Sequence, residues 1–278
     1  MGESLVEPLL EKLLLGIALS KAEHAQLFNS VYEYCRKCII ESGQIGYELL
    51  MKLKRLLEKH VESLKNAALM LSGPDLLSFY EKSWQQYSAA IDIIKNRFKY
   101  CNQSNKFLHY AKLYLLAFTI WKDGLLTFCR INLTRSIQEE VAKLRRGECV
   151  TGIRLCPIIN SFNTLDMVFE SAMSIVDYQS IYKNYFECDF LAELSEYYST
   201  MSKENITRLG ISGYLIWAEN EKNKEVRRSS VYLNTRSQNA LIKILSKHMI
   251  EDHIEAIWTE FRNLLKDEKV GDLKKMVR

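Results

Sequence analysis

The chain is poor in helix breakers: 11 glycines and 3 prolines among 278 residues. That is too few for an all-β protein built of many short strands and turns. No apolar run approaches the ~20 residues of a membrane span, and Glu3, Glu7 and Glu11 interrupt the stretch where a signal peptide would be apolar. Charge of one sign is also scarce. The formal net charge is +4, and the basic residues are interleaved with acids, which excludes the clustered basic patch of a nucleic-acid binder. The seven cysteines are odd in number and scattered, so they read as reduced, buried small hydrophobes in a reducing compartment.

Catalytic signatures are missing as well. There is no phosphate loop, GxSxG elbow or HExxH. Cys35-Arg36-Lys37-Cys38 is a single CxxC, and a zinc site would need two more ligands at matching spacing. His248 and His253 stand five apart, a poor spacing for one helix face, and read as structural or solvated. Arg227-Arg228-Ser229-Ser230 has the look of a basophilic kinase target but reads as exposed linker. No acid, base and nucleophile set converges. The expectation is a non-enzyme with no cofactor and no metal.

What the chain does hold is helical pattern from end to end, rich in Leu, Lys and Glu. Pro8 suits the first turn of a short helix that ends near Gly16. A long third helix carries Leu49, Leu53, Leu57 and Val61 on one side. Ser72-Gly73-Pro74-Asp75 is a turn, with Asp75 placed to cap an aromatic fourth helix. After a polar loop at residues 102–105, a fifth helix at about residues 106–130 is apolar almost all round, and so is expected to be enclosed by neighbours. Residues 132–146 form a separate amphipathic segment closed by Gly147. The next helix is interrupted at Pro157, residues 171–200 are long and aromatic, and Gly210 with Gly213 place a turn before the last long helix at residues 237–266. The two halves share a layout, and Ile120-Trp121 and Ile257-Trp258 fall at matching places in their last helices. That suggests a repeated, solenoid-like stack divided at 1–131 and 132–278.

The most informative stretch is residues 20–38. Ser20-Lys21-Ala22-Glu23 is a capping box, so a helix starts there with a mechanism. Leu27, Val31, Cys35 and Cys38 form one apolar stripe; His24, Phe28 and Tyr32 form a second line beside it. Together they cover an arc of roughly 160°, where one core needs little more than about 100°. The surplus is aromatic. It fits a helix buried on two sides by its own domain, and it fits an anchor surface for a partner.

Seven stretches, in order, resemble the N-terminal domain of cullins. In the first half they are LFNSVYEYC (27–35), FYEKSWQQY (79–87) and LYLLAFTIWKDGLL (113–126). In the second half they are LRRGECV (144–150), YKNYFECDFLAELSEYY (182–198), EVRRSSVYL (225–233) and IEDHIEAIWTEFRNLLKDEKVGDLKKM (250–276). The resemblance covers nearly the whole chain. It implies an all-α stack of two five-helix cullin repeats, part of an elongated stalk, in a non-catalytic scaffold of a cullin-RING ubiquitin ligase.

In that family the second and fifth helices of the first repeat bind a substrate adaptor. Carried onto this chain, the resemblance assigns adaptor contacts to His24, Leu27, Phe28, Val31 and Tyr32 on one helix and to Tyr110, Leu113 and Tyr114 on the other. Phe28 and Tyr32 match aromatic family positions, while His24 falls where related cullins carry tyrosine. LFNSVYEYC is most similar to the class using the BTB/POZ-fold adaptor of F-box proteins; elongin C, BTB proteins and the propeller adaptor remain alternatives. The stretches that hold the RING subunit and the modifier-accepting lysine in the family lie beyond the two repeats. Cytoplasm and nucleus are the expected locations. A helical rod of a vesicle-tethering complex, with the same composition and helical stacking, is the competing class.

Overall fold

The computed structural model describes residues 3–41, 47–98, 110–148, 155–172, 179–230 and 233–266; side chains at a few helix ends, including Cys35, Cys38 and Tyr110, lie outside the described set. The expected loop at residues 102–105 also lies outside it. Among the described residues there is no strand. The helices are α1 (Glu3–Leu14), α2 (Lys21–Glu41), α3 (Tyr47–Ala68), α4 (Gly73–Phe98), α5 (Tyr110–Trp121), α6 (Thr127–Arg145), α7 (Leu155–Ala172), α8 (Cys188–Ser229), α9 (Thr235–Met249) and α10 (Ile254–Lys266).

Several boundaries differ from the sequence expectation. Pro8 lies inside α1, which begins at Glu3, not at Pro8. Asp75 sits within the first turn of α4, which begins at Gly73. Pro157 does not interrupt α7. It occupies the first turn, where a missing N–H costs nothing because that donor has no helical partner. The fifth and sixth segments are one helical run, because α5 passes into α6 through a π turn at Lys122–Leu126. Gly124 explains the local geometry: a Cβ there would lie 2.5 Å from Cγ1 of Val61 on α3, so only glycine permits that approach. Gly210 does mark a break, as a kink inside α8 with φ 67° and ψ 170°, a conformation costly for any other residue.

By contacts the chain divides into two compact units, Met1–Glu140 with Thr151–Ile181, and Val141–Val150 with Tyr182–Arg278. This is a division by contact, not by repeat, and α6 runs unbroken through position 131. The first unit is centred on aromatic rings. Tyr80, Tyr87 and Trp121 are fully buried, with Tyr87 and Trp121 centroids 4.8 Å apart and Trp84 5.4 Å from Trp121. Their polar atoms are paired: Tyr87 Oη donates to the Ala117 carbonyl at 2.7 Å, and Tyr80 Oη meets Ser161 Oγ at 3.1 Å. Burying such rings is stabilising only because those hydroxyls find partners.

The second unit has an apolar core, with Phe186, Phe190, Leu194 and Leu241 fully buried, and a buried ion network beside it. Arg145, at the end of α6, places its guanidinium 3.0 Å from Glu193 and 3.1 Å from Glu225, both on α8. Arg228 reaches Glu225 at 2.6 Å and Glu221 at 2.7 Å, and Tyr198 Oη donates to Glu225 at 3.0 Å. The Glu225 side chain is wholly buried. Burial pushes its carboxyl pKa up, but Arg145 and Arg228 outweigh that and hold it below the ordinary carboxylate value. Two of the stretches that carry the family resemblance, 144–150 and 225–233, thus meet in one ion network. The reading of residues 227–230 as exposed linker is corrected here. They close α8, with Arg228 ion-paired and Ser229 buried; only Arg227 and Ser230 are exposed.

Candidate docking face on the second helix

The capping box forms as its spacing requires. The Glu23 amide donates to Ser20 Oγ at 3.2 Å, and the Ser20 amide donates to the Glu23 carboxylate at 2.7 Å. Lys12 adds an ion pair to Glu23 at 2.7 Å, tying α1 to the start of α2. The Lys12 ammonium, then the Ser20 amide, hold the Glu23 carboxyl down at about 2.

From that fixed start α2 packs on α1 and α4. The inner stripe goes into the core: Leu27 is 0% and Val31 1% exposed. The second line faces out. Phe28 is half-buried and Tyr32 is 47% exposed, their rings stacked with centroids 6.4 Å apart and planes 9° apart. One turn earlier, half-buried His24 borders a concavity of about 360 Å³ walled by the α1–α2 connection and by Gln85, Gln86 and Ile93 of α4. Its Nδ1 is buried and has no hydrogen-bond partner among the described residues.

On α5, Leu113 is buried. Tyr114 is half-buried: its hydroxyl donates to the Asp92 carboxylate, the Lys95 ammonium lies 3.8 Å from its ring centroid, and Phe118 meets it edge-on at 5.2 Å. The Tyr110 side chain lies outside the described residues. α2 and α5 share α4 as their support.

Of the eight residues assigned from the resemblance, His24, Phe28, Tyr32 and Tyr114 therefore reach the surface. Leu27, Val31 and Leu113 are core residues that hold the face in place. Sequence reasoning missed the contribution of α4. Asp92 and Lys95 orient Tyr114, and Gln85 with Gln86 wall the concavity beside His24. Their one visible signal is polarity at positions between the aromatic core residues of that helix.

One set of catalytic residue types does come together, which the reading of His248 as structural or solvated did not foretell. Ser195 Oγ lies 2.7 Å from Nε2 of His248, and Asp252 Oδ2 lies 2.7 Å from its Nδ1. Ser195 stands in the interior of α8, where the backbone amides are taken up in helical bonds and cannot serve as oxyanion donors. The array ties the end of α9 to α8, which is a structural role.

Comparison with known proteins decides the family. The family model described as the Cullin alpha solenoid domain matches residues 5–278. The chain belongs to the cullin family. Among its relatives, Cullin-1 of Dictyostelium discoideum is 27% identical over 94% of this chain and 36% of its own length. Cell division control protein 53 of Saccharomyces cerevisiae is 22% identical over 94% of this chain and 34% of its own length. Cullin-3A of Arabidopsis thaliana is 22% identical over 90% of this chain and 33% of its own length. The chain thus spans about a third of the length of the curated relatives it matches. Those relatives carry the names of more than one cullin class.

Proposed function

We propose that this cullin chain is a segment of a ubiquitin-ligase scaffold, and that the outward face of α2, with Tyr114 of α5, docks a BTB-fold adaptor of the kind that carries F-box proteins. The observation that carries this reading is the Phe28–Tyr32 ring pair. It is stacked, partly exposed, and backed by a fully buried Leu27–Val31 stripe. Rigid aromatic anchors on a firm support are what interface hot spots consist of. The segment contributes binding and no catalytic group, and the RING subunit is held by the family regions beyond the two repeats. The location that goes with this role is cytoplasm and nucleus.

The test is calorimetric titration of the chain with purified F-box-type adaptor, elongin C and a BTB protein. Truncating a central anchor costs about 2 kcal/mol or more, roughly a thirtyfold loss of affinity. Phe28→Ala and Tyr32→Ala are each expected to show that loss toward the F-box-type adaptor, with little change in melting temperature. Unaltered affinity for all three adaptors, or unfolding by Phe28→Ala, overturns the docking face. Tighter binding of elongin C or the BTB protein reassigns the adaptor class and keeps the face.

A further inference from the structure

The outward face of α10 is apolar and uncovered. Ile254, Trp258, Phe261 and Leu265 recur at i, i+4, i+7 and i+11, the seam spacing of a coiled coil. Ile254, Trp258 and Leu265 are exposed; Phe261 is half-buried and meets the Trp258 ring edge-on at 5.8 Å. A shallow concavity of about 570 Å³ follows the same face. One flank of the stripe carries Leu264, which is buried and anchors the helix. The other flank carries Glu255 and, two turns on, Arg262. Both are exposed, and among the described residues neither takes part in an ion pair.

We propose that this stripe pairs with the same stripe of a second copy of the chain, antiparallel and related by a two-fold axis. The order of the charges selects this occupant. With the acid toward the amino end and the base toward the carboxyl end of one flank, the helix is complementary to its own reverse. In that register Ile254 lies opposite Leu265 of the second copy and Trp258 opposite Phe261 of the second copy. Every layer of the seam is then apolar, and Glu255 meets Arg262 on both sides of the axis. A shift of one heptad either way sets Glu255 against Glu255 or Arg262 against Arg262. A parallel pair sets Arg262 against Ile257 and leaves its charge unmatched. A uniformly acidic or basic partner helix matches one of the two charges and repels the other. The contact is a single pair of short helices, at the small end of interface sizes, so the dimer is expected to be weak and reversible. None of this uses Phe28, Tyr32 or Tyr114, so the stripe and the adaptor face stand or fall separately.

Sedimentation equilibrium of the chain over the micromolar range tests it, and a monomer–dimer equilibrium is expected. Trp258→Ala is expected to abolish the association with little change in melting temperature. Arg262→Glu and Glu255→Arg each turn two attractions into two repulsions, and each is expected to weaken the dimer at least about tenfold. Mixed in equal amounts, these two variants carry matched opposite charges and are expected to associate again. The double variant, with both charges exchanged, is expected to dimerise alone. Phe28→Ala is expected to change nothing. The proposal fails if the chain stays monomeric, if Arg262→Glu leaves the association unaltered, or if the mixture does not recover it. It also fails if Trp258 fluorescence, isolated as the difference from Trp258→Phe, is shielded from iodide in the monomer, since another segment of the same chain then covers the stripe.

Discussion

Ile120-Trp121 and Ile257-Trp258 present the same dipeptide in helices of opposite fate. Trp121 is 0% exposed, packed against Tyr80, Trp84 and Tyr87 in the centre of the first unit. Trp258 is 53% exposed on α10, where among the described residues only Leu264 of that helix is buried. The difference lies in how many helices surround each residue. α5 packs on α3, α4 and α7, whereas α10 touches α8 and the short turn before it. A motif match therefore fixes helix phase and leaves burial open.

The largest expected effect sharpens that contrast. Trp121→Ala is expected to cost about 3–5 kcal/mol of folding stability. Trp258→Ala is expected to stay within about 0.5 kcal/mol. Urea unfolding measured on both variants checks this, and equal losses would break the comparison. The second unit has its own centre, so Glu225→Ala is expected to be comparably severe. Removing it leaves Arg145, whose side chain is 1% exposed, without its closest buried counter-charge, and breaking a buried pair costs about 3–5 kcal/mol. If the loss is instead within error, the network is not what holds α6 to α8.

On α2 the same inside–outside contrast runs across adjacent residues. Leu27→Ala, which opens a cavity under a fully buried side chain, is expected to cost about 2–5 kcal/mol. Phe28→Ala, half-buried beside it, is expected to lower the melting temperature far less. Differential scanning calorimetry of the pair decides between an anchor surface and a second core face.

The smallest effect concerns the capping box. The Glu23 carboxyl is held at about 2, below its ordinary 4.5. A lowered carboxylate value stabilises the fold above the unfolded-state value and loses that contribution as pH falls toward the folded one. Glu23→Gln is therefore expected to melt below the parent chain at neutral pH. The difference is expected to shrink from about pH 4.5 downward and vanish near pH 2. A gap that persists at pH 2 would mean that charge on Glu23 is not its source.

What the sequence by itself determined was local and periodic. Ser20 with Glu23 dictated where α2 begins, because a capping box is a contact between residues three apart. The 3.6-residue period dictated that Leu27 and Val31 share the buried face and that Phe28 and Tyr32 lie beside them. Seven ordered stretches sufficed for the cullin family. The tertiary structure alone decided what depends on distant residues meeting. One helical run replaced two expected helices, and within it Gly124 lets Val61 of α3 approach, an interhelical contact that leaves no mark in either helix's own pattern. Arg145 found Glu225 from 80 positions away, turning an expected linker into the rim of a buried ion network. Ser195 on α8 met His248 from 53 positions away. Which half of a helix faces water is set by the neighbours that arrive, and those are chosen by the whole chain.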